Sequence, residues 1–103
     1  MFIAWTTVAD RETADRLASE AVSHALAVCV QVEGPVTSHY RWQGTQEKTE
    51  ELRLMFKVLP DKLTALGAWL HKRHPYETPE WIVVRAEQVG EKYLSWAARS
   101  LDT

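Results

Sequence analysis

Hydrophobic and polar positions follow two different periods along the first 25 residues, and these predict a strand followed by a helix. Residues 2–8 are mostly apolar on both faces, which is typical of a central strand. Asp10 then supplies a side-chain oxygen that can cap a helix, and Glu12 suits the positive end of the helix dipole. Apolar residues next recur with the spacing of one helical face, at Ala14, Leu17, Ala18, Ala21, Val22 and Ala25.

Alternating apolar and polar residues over positions 28–58 predict one long β-hairpin. Its first arm bends at Gly34-Pro35 and continues to Trp42, and Gln43-Gly44 is the turn. The return arm places apolar residues on one face, namely Leu52, Leu54, Phe56 and Val58. Each arm exceeds the usual strand length of about 5–6 residues. Arms of this length extend past the core of a small domain, so we expect the hairpin tip to pack on something outside the monomer.

A second helix, a short strand and a terminal helix complete the pattern. Pro60 suits the first turn of the second helix. The apolar stripe of this helix comprises Leu63, Leu66 and Leu70. Gly67 lies on the stripe, which predicts a close approach between this helix and the sheet. A strand over residues 81–84 follows, and Gly90 precedes a last amphipathic segment.

The element order is strand, helix, strand, strand, helix, strand and terminal helix. This split βαβ order predicts an α+β fold, a ferredoxin-like βαββαβ sandwich with a long β-hairpin and an extra C-terminal helix. Residues 1–103 are expected to form a single domain. Both main helices lie on one face of the predicted sheet. The other face is apolar in the first and last strands, so we expect copies of the same chain to cover it.

Composition and charge narrow the functional classes. The net charge of −2 and the pI near 6.1 provide no positive field that would recruit nucleic acid or an acidic membrane. No apolar run approaches the roughly 20 residues of a membrane span, and the apolar residues 1–5 lack the features of a signal peptide. Cys29 is the single cysteine, so an intrachain disulfide is excluded, which agrees with a reducing compartment.

The segment His74-Pro75-Tyr76-Glu77-Thr78-Pro79-Glu80 concentrates the candidate chemistry. Its prolines end the preceding helix and stiffen a loop, where binding groups most often lie. His74 is a candidate metal ligand, but a tight site needs donors besides this one. The alternative is a histidine at the helix C-terminus that bonds the last carbonyls. The segment has no nucleophilic serine or cysteine, and the chain has no glycine-rich phosphate loop, so we expect neither an enzyme nor an organic cofactor.

Six segments, taken in order along nearly the whole chain, resemble the CutA family of divalent-cation tolerance proteins. They are Thr6-Thr7, Ala27-Val28-Cys29-Val30, Ser38-His39-Tyr40-Arg41-Trp42-Gln43-Gly44, Phe56-Lys57-Val58, the loop from His74 to Glu80, and Gly90 to Trp96. Each segment alone is weakly specific, whereas six in register are specific. The resemblance implies a tight homotrimer in which the long hairpins reach across subunit boundaries.

The resemblance also implies a cytoplasmic role in tolerance to divalent metals, with copper or another divalent cation as the bound metal. Copper-binding members of the family are described with two adjacent histidines before Pro-Tyr and with a cysteine on the first strand. Arg73 and Trp5 stand at those positions here, so His74 is what remains of that ligand set. Copper prefers imidazole, thiolate and thioether donors.

A cleft between subunits is the second candidate site. The family trimer is similar to that of the PII signalling proteins, which bind small anions between subunits. The cleft residues expected here are Tyr40, Trp42, Lys57, Arg73, Tyr76, Glu77 and Glu80. Plain interface packing is the alternative for the aromatic residues. Three functions stay open: weak divalent-metal binding through His74, sensing of a small anion with Lys57, Arg73 and Tyr76, and a structural trimer that docks another protein.

Overall fold

The computed structural model describes residues 1–101 and shows, within them, a four-stranded sheet with three α-helices. The elements are β1 (Phe2–Val8), α1 (Arg11–Ser23), β2 (Cys29–Trp42), β3 (Thr45–Val58), a 3₁₀ turn (Pro60–Lys62), α2 (Leu63–Arg73), β4 (Ile82–Arg85) and α3 (Glu91–Ser100). This confirms the predicted α+β class. No helix within residues 1–101 has the length and apolar character needed to span a membrane.

The sheet has the strand order β2-β3-β1-β4, and each neighbouring pair is antiparallel. β1 is central, as predicted, with Ala4 opposite Phe56 of β3 and opposite Val83 of β4. Residues directly opposite each other in a sheet point to the same face. Ala4, Phe56 and Val83 therefore share one face, and the helices α1 and α2 pack on it.

The hydrophobic core lies between this sheet face and the two helices. Its large, fully buried side chains include Leu17 of α1, Leu66 and Leu70 of α2, and Leu54 and Phe56 of β3. Full burial of a Leu or Phe side chain contributes roughly 1.5–3 kcal/mol. All five are residues that the hydrophobic periodicity placed inside.

The start of α1 agrees with the sequence, but its end does not. Oδ1 of Asp10 accepts a hydrogen bond from the Thr13 amide at 2.8 Å, which confirms the predicted cap. α1 ends at Ser23, before Ala25, and Val22 lies on its exposed side, so the prediction that these two residues continue the buried face is wrong. Val22 is 46% exposed, and Ala25 lies beyond the helix in the left-handed region with φ of 57°.

The chain leaves α1 through a Schellman motif. The Leu26 amide donates to the Ala21 carbonyl at 2.9 Å, and the Ala25 amide donates to the Val22 carbonyl at 3.0 Å. These two bonds satisfy carbonyls that the end of a helix leaves unpaired. Helical spacing cannot reveal the motif, because Ala25 occupies the position where glycine is the usual residue.

The long hairpin is present with the predicted turn and bend. β2 and β3 each have 14 residues, and Gln43 and Gly44 form the turn with φ values of 49° and 80°. Their register shifts between Glu33 and Val36. β1 pairs with β3 only as far as Leu52. The part of the hairpin beyond Leu52 is therefore a two-stranded ribbon, and the molecule measures 46 × 26 × 22 Å.

Gly67 of α2 faces an aromatic ring rather than the sheet backbone, so the predicted reason for this glycine is wrong. A Cβ atom at Gly67 would lie 3.5 Å from Nε1 of Trp81. The Trp81 ring also packs edge-on against Phe56, with ring centroids 5.9 Å apart. The missing side chain at Gly67 thus leaves room for the Trp81 indole above the core.

The sheet face away from α1 and α2 remains largely uncovered and is called the open face. It is defined by the paired residues Ile3 and Val84, Trp5 and Ile82, and Met55. Ile82 and Val84 are 52% and 45% exposed. The structure therefore contains the bare apolar sheet surface that the sequence predicts.

The helix α3 covers one part of the open face. Its Tyr93 ring lies 5.7 Å from Nζ of Lys57, which is opposite Ile3 on that face. Leu94 and Trp96 of the same helix are about two-fifths exposed. α3 thus adds apolar surface of its own beside the uncovered strands.

Candidate functional site

His74 lies at the end of α2, and both nitrogens of its buried ring have hydrogen-bond partners. Nε2 lies 2.9 Å from the Thr7 carbonyl of β1, and Nδ1 lies 3.0 Å from the Tyr76 amide. A carbonyl can only accept and an amide N–H can only donate, so Nε2 carries the proton and Nδ1 accepts. His74 therefore joins the end of α2 to β1 and fixes the start of the loop.

The alternative expectation for His74, a helix C-cap histidine that bonds the last carbonyls, is confirmed for its backbone amide, whereas its ring bonds elsewhere. The ring bonds the carbonyl of Thr7 on β1, while the backbone amide of His74 donates to the Leu70 carbonyl at 2.8 Å. Burial lowers the pKa of His74, and the hydrogen bond to Thr7 only partly opposes this effect. The neutral ring that the hydrogen bond from the Tyr76 amide requires is thus also favoured by burial.

The residues of one chain do not fit a preformed metal site at His74. Within residues 1–101, no group of three or more His, Cys, Asp or Glu side chains is placed to hold a metal ion. A metal at Nδ1 would have to displace the Tyr76 amide. Trp5 and Arg73, at the positions of the other family ligands, offer no lone pair to a metal. Ligation by His74 stays a prediction.

Tyr76 connects the loop to the hairpin. Its hydroxyl donates to Oε2 of Glu51 on β3 at 3.0 Å, and its ring packs edge-on against His74 with centroids 4.8 Å apart. Burial, followed by the hydrogen bond to Glu51, raises the pKa of Tyr76 far above that of a free tyrosine. The phenol is therefore a fixed hydrogen-bond donor rather than an acid or base at neutral pH.

A cavity of about 680 Å³ lies between the hairpin and the loop. It brings together five of the seven predicted cleft residues, namely Tyr40, Trp42, Tyr76, Glu77 and Glu80. Ser38 and His39 of β2 and Thr7 of β1 also line it. The two parts of the chain that the sequence singled out, the hairpin and the proline-containing loop, thus form one concave surface.

Lys57 and Arg73, the two predicted cations of the cleft, lie outside this cavity within one chain. Lys57 is on the open face beside Tyr93. Arg73 extends from α2 towards α1, where its Nη1 lies 3.5 Å from Oε2 of Glu20. Side-chain direction at the end of a helix and on the far face of a strand depends on tertiary packing, which motif matching does not report.

The cavity is acidic. Glu51, Glu77 and Glu80 line it, and among the described residues no lysine or arginine does. An adjoining cavity of about 300 Å³ shares Glu80 and includes Arg53, but the Arg53 guanidinium is paired with Glu33 at 2.8 Å. The potential of the larger cavity therefore favours cations over anions.

Glu51 of β3 lines the cavity, although the sequence analysis did not single it out. The signal that points to it is the hairpin register, because the turn at Gln43-Gly44 places Glu51 opposite Val36 and next to the bend. Its hydrogen bond with Tyr76 depends on the path of the loop. Spacing within the sequence does not reveal that path.

Comparison with known proteins gives a consistent family assignment. The family model described as CutA1 divalent ion tolerance protein matches residues 2–100. The divalent-cation tolerance protein CutA of Yersinia pestis (strain Pestoides F) is 37% identical over 95 residues, which cover 92% of this chain and 80% of the relative. These matches confirm the resemblance seen in the six ordered segments.

Solved structures agree with the same assignment. CutA from Synechococcus elongatus PCC7942 superposes with a TM-score of 0.93 at 37% identity and covers 97% of this chain and 88% of that one. CutA from Xylella fastidiosa superposes with a TM-score of 0.93 at 32% identity, and the match covers 98% of this chain and 97% of that chain. Motifs, fold and family model all lead to one conclusion: the chain belongs to the CutA1 family of divalent ion tolerance proteins.

Proposed function

We propose that the chain acts in divalent-cation tolerance as a cytoplasmic homotrimer that binds copper or another divalent metal weakly. Family membership supports the tolerance role, and the number three follows from the resemblance to the family. We propose no catalytic activity and no organic cofactor. The observation that carries the proposal is the open face, which a single chain leaves in water.

The exposed apolar residues supply a driving force for assembly. Ile82 and Val84 of β4 and Trp96 of α3 are between 42% and 52% exposed. Burial of such a side chain contributes roughly 1.5–3 kcal/mol when it is complete, so covering the remaining half of each gives on the order of 1 kcal/mol. Several such contacts per subunit favour association. The two-stranded ribbon beyond Leu52 gives a neighbouring subunit a further surface to contact.

A pair of variants tests the role of the open face. Ile82→Lys places a charge on this face, whereas Val22→Lys places the same charge on a similarly exposed valine of α1, outside it. Light scattering after size exclusion should give a lower molar mass for Ile82→Lys and an unchanged mass for Val22→Lys. Equal masses for both variants and the wild type would contradict assembly through this face.

A copper titration tests the weak metal binding separately. His74→Gln keeps an amide donor near the Thr7 carbonyl but removes the imidazole, and His24→Gln removes an exposed imidazole at the end of α1. We expect a lower affinity for Cu(II) in His74→Gln and an unchanged affinity in His24→Gln. Identical isotherms for the wild type and His74→Gln would remove His74 from the metal proposal.

The two other hypotheses have less support. An anion sensor that uses Lys57, Arg73 and Tyr76 requires cations beside Tyr76, and within one chain the cavity there is lined by carboxylates. A structural trimer that docks another protein stays a prediction. Thermal-shift screening with nucleotides and dicarboxylates tests the anion hypothesis, because a ligand that prefers the folded state raises the melting temperature.

A further inference from the structure

The hairpin ribbon, residues 36–51, has little support from its own chain. β1 pairs with β3 no further than Leu52, and no side chain within residues 36–51 is buried. An isolated two-stranded hairpin is marginally stable at best in water. The register of its two strands also shifts between Glu33 and Val36, and such a bulge bends the strand that carries it. The direction in which the ribbon leaves the sheet therefore depends on contacts outside the strand ladder.

The loop after α2 supplies such a contact at the base of the ribbon. The Tyr76 hydroxyl donates to Oε2 of Glu51 at 3.0 Å, and Glu51 is the first residue beyond the end of the β1 pairing. Among the side-chain hydrogen bonds, ion pairs and ring contacts within residues 1–101, this is the one that joins residues 36–51 to the rest of the chain. A hydrogen bond to a carboxylate is also stronger than one between neutral groups.

Tyr76 is itself fixed to β1 through His74. Its amide donates to Nδ1 of His74 at 3.0 Å, and Nε2 of the same ring donates to the Thr7 carbonyl at 2.9 Å. The loop is held again at its far end, where the Thr6 hydroxyl donates to the Glu80 carbonyl at 2.7 Å. A continuous path of hydrogen bonds thus runs from β1 through His74 and Tyr76 to the base of the ribbon.

We propose that Tyr76 is a positioning residue for assembly, whose hydrogen bond to Glu51 holds the ribbon in the direction from which a neighbouring subunit receives it. A ribbon that is already ordered loses less conformational entropy when the subunits associate, and association is stronger for that reason. The bond lies within one chain, so it forms before the subunits meet. This inference rests on the proposed homotrimer and deepens it by naming an intrachain bond on which the interface depends.

Hydrogen exchange in single chains tests whether the bond holds the ribbon. Ile82→Lys places a charge on the open face and opposes assembly, so it serves as the background for every variant. Tyr76→Phe removes the hydroxyl and keeps the ring against His74. It should speed amide exchange in residues 36–51 by about fivefold to tenfold. Exchange in α1 should stay unchanged, which shows that the chain is still folded. Unchanged exchange in the ribbon would overturn the proposal.

Glu50 and Glu51 form a matched pair for the same measurement. Successive side chains of a strand point to opposite faces, so Glu50 lies on the face away from Tyr76. Glu51→Ala removes the acceptor and should speed ribbon exchange as Tyr76→Phe does, whereas Glu50→Ala removes the same group without breaking the bond. Glu51→Gln keeps an oxygen acceptor and should recover part of the protection. Equal exchange in Glu50→Ala and Glu51→Ala would contradict the role of the bond.

A double-mutant cycle in the assembling protein tests the link to association. Sedimentation in enough urea to dissociate the wild type partly gives the protein concentration at which half of the chains are assembled. Tyr76→Phe and Glu51→Ala should each raise this concentration by about fivefold or more. The double variant should raise it no further, because both changes remove one bond. Additive effects, or wild-type assembly in both single variants, would refute the link.

The outcomes separate this inference from the proposed function. A wild-type trimer with unchanged assembly in Tyr76→Phe would retain the homotrimer and remove the role of Tyr76 in it. A wild-type protein that stays a single chain at every concentration would remove the homotrimer and that role together. In that case the exchange rates of residues 36–51 would still report whether Tyr76 holds the ribbon.

Discussion

Protonation of His74 should destabilise the fold. Its Nε2–H donates to the Thr7 carbonyl in either protonation state, but its Nδ1 accepts from the Tyr76 amide only when the ring is neutral. The residue is 8% exposed. A second proton on Nδ1 would place two donors, the ring N–H and the Tyr76 amide, against each other. The loop would then lose its connection to the end of α2.

The direction of the pH dependence follows from the lowered pKa. Burial shifts the pKa of His74 below the value of about 6.5 that a histidine has in an unfolded chain. Above about pH 6.5 both states are neutral at this residue, and its contribution to stability is fully present. As the pH falls from there to the folded-state pKa, only the unfolded chain gains a proton, so stability is lost. Below the folded-state pKa both states are protonated and the loss no longer grows.

One proton sets the size of this effect. The free energy of unfolding can change by at most about 1.4 kcal/mol per pH unit for a difference of one proton. Urea unfolding from about pH 5 to pH 8 covers the range in which histidine titrates. His74→Gln should reduce the slope in this range. His24→Gln should retain it, because His24 is exposed at the end of α1 and is not among the groups that shift the pKa of His74.

The comparison isolates His74 from its neighbours. Tyr76, whose ring packs on His74, and its partner Glu51 are unchanged in the wild type and both variants, so the difference in slope reports the substituted histidine. An equal slope in the wild type and His74→Gln would refute the reasoning. A wild-type protein that becomes more stable as the pH falls through this range would refute it as well.

Three further substitutions test local packing by urea or thermal unfolding. Ala25→Gly should stabilise the fold by about 1 kcal/mol, because φ of 57° strains any residue with a Cβ atom; a loss of stability would contradict the Schellman motif. Gly67→Ala should be neutral or stabilising by up to about 1 kcal/mol, since its Cβ meets Trp81 at an ordinary 3.5 Å, whereas Gly67→Leu should destabilise. Thr6→Val should cost about 1–3 kcal/mol by removing the 2.7 Å hydrogen bond to the Glu80 carbonyl, and Thr6→Ser should recover part of this.

Much of the fold follows from local rules that act on short stretches. Alternation over β3 identifies Leu54 and Phe56 as core residues because successive side chains of a strand point to opposite faces of the sheet. The turn at Gln43-Gly44 then fixes the register of the hairpin as far as Val36, and the bend at Gly34-Pro35 shifts it beyond that point. These features depend on residues that are close in sequence, so the sequence alone is enough to predict them.

The features that sequence reasoning missed depend on distant packing. The room at Gly67 is occupied by Trp81, 14 positions later, whose ring direction no periodicity reports. The candidate site likewise combines features that the sequence predicts with features that depend on distant packing. Tyr40 and Tyr76 were predicted to share a cleft and do share a cavity, while Arg73 turns away towards Glu20. The sign of the charge in the cavity therefore required the structure.

Sedimentation equilibrium of the wild-type protein, measured over a range of micromolar concentrations, tests the central claim most directly. The account predicts a mass three times that of the 11.8 kDa chain, because assembly covers the open face and the hairpin ribbon. The mass should remain constant on dilution if the subunits bind tightly. A compact particle with the mass of one chain at all concentrations would contradict the account.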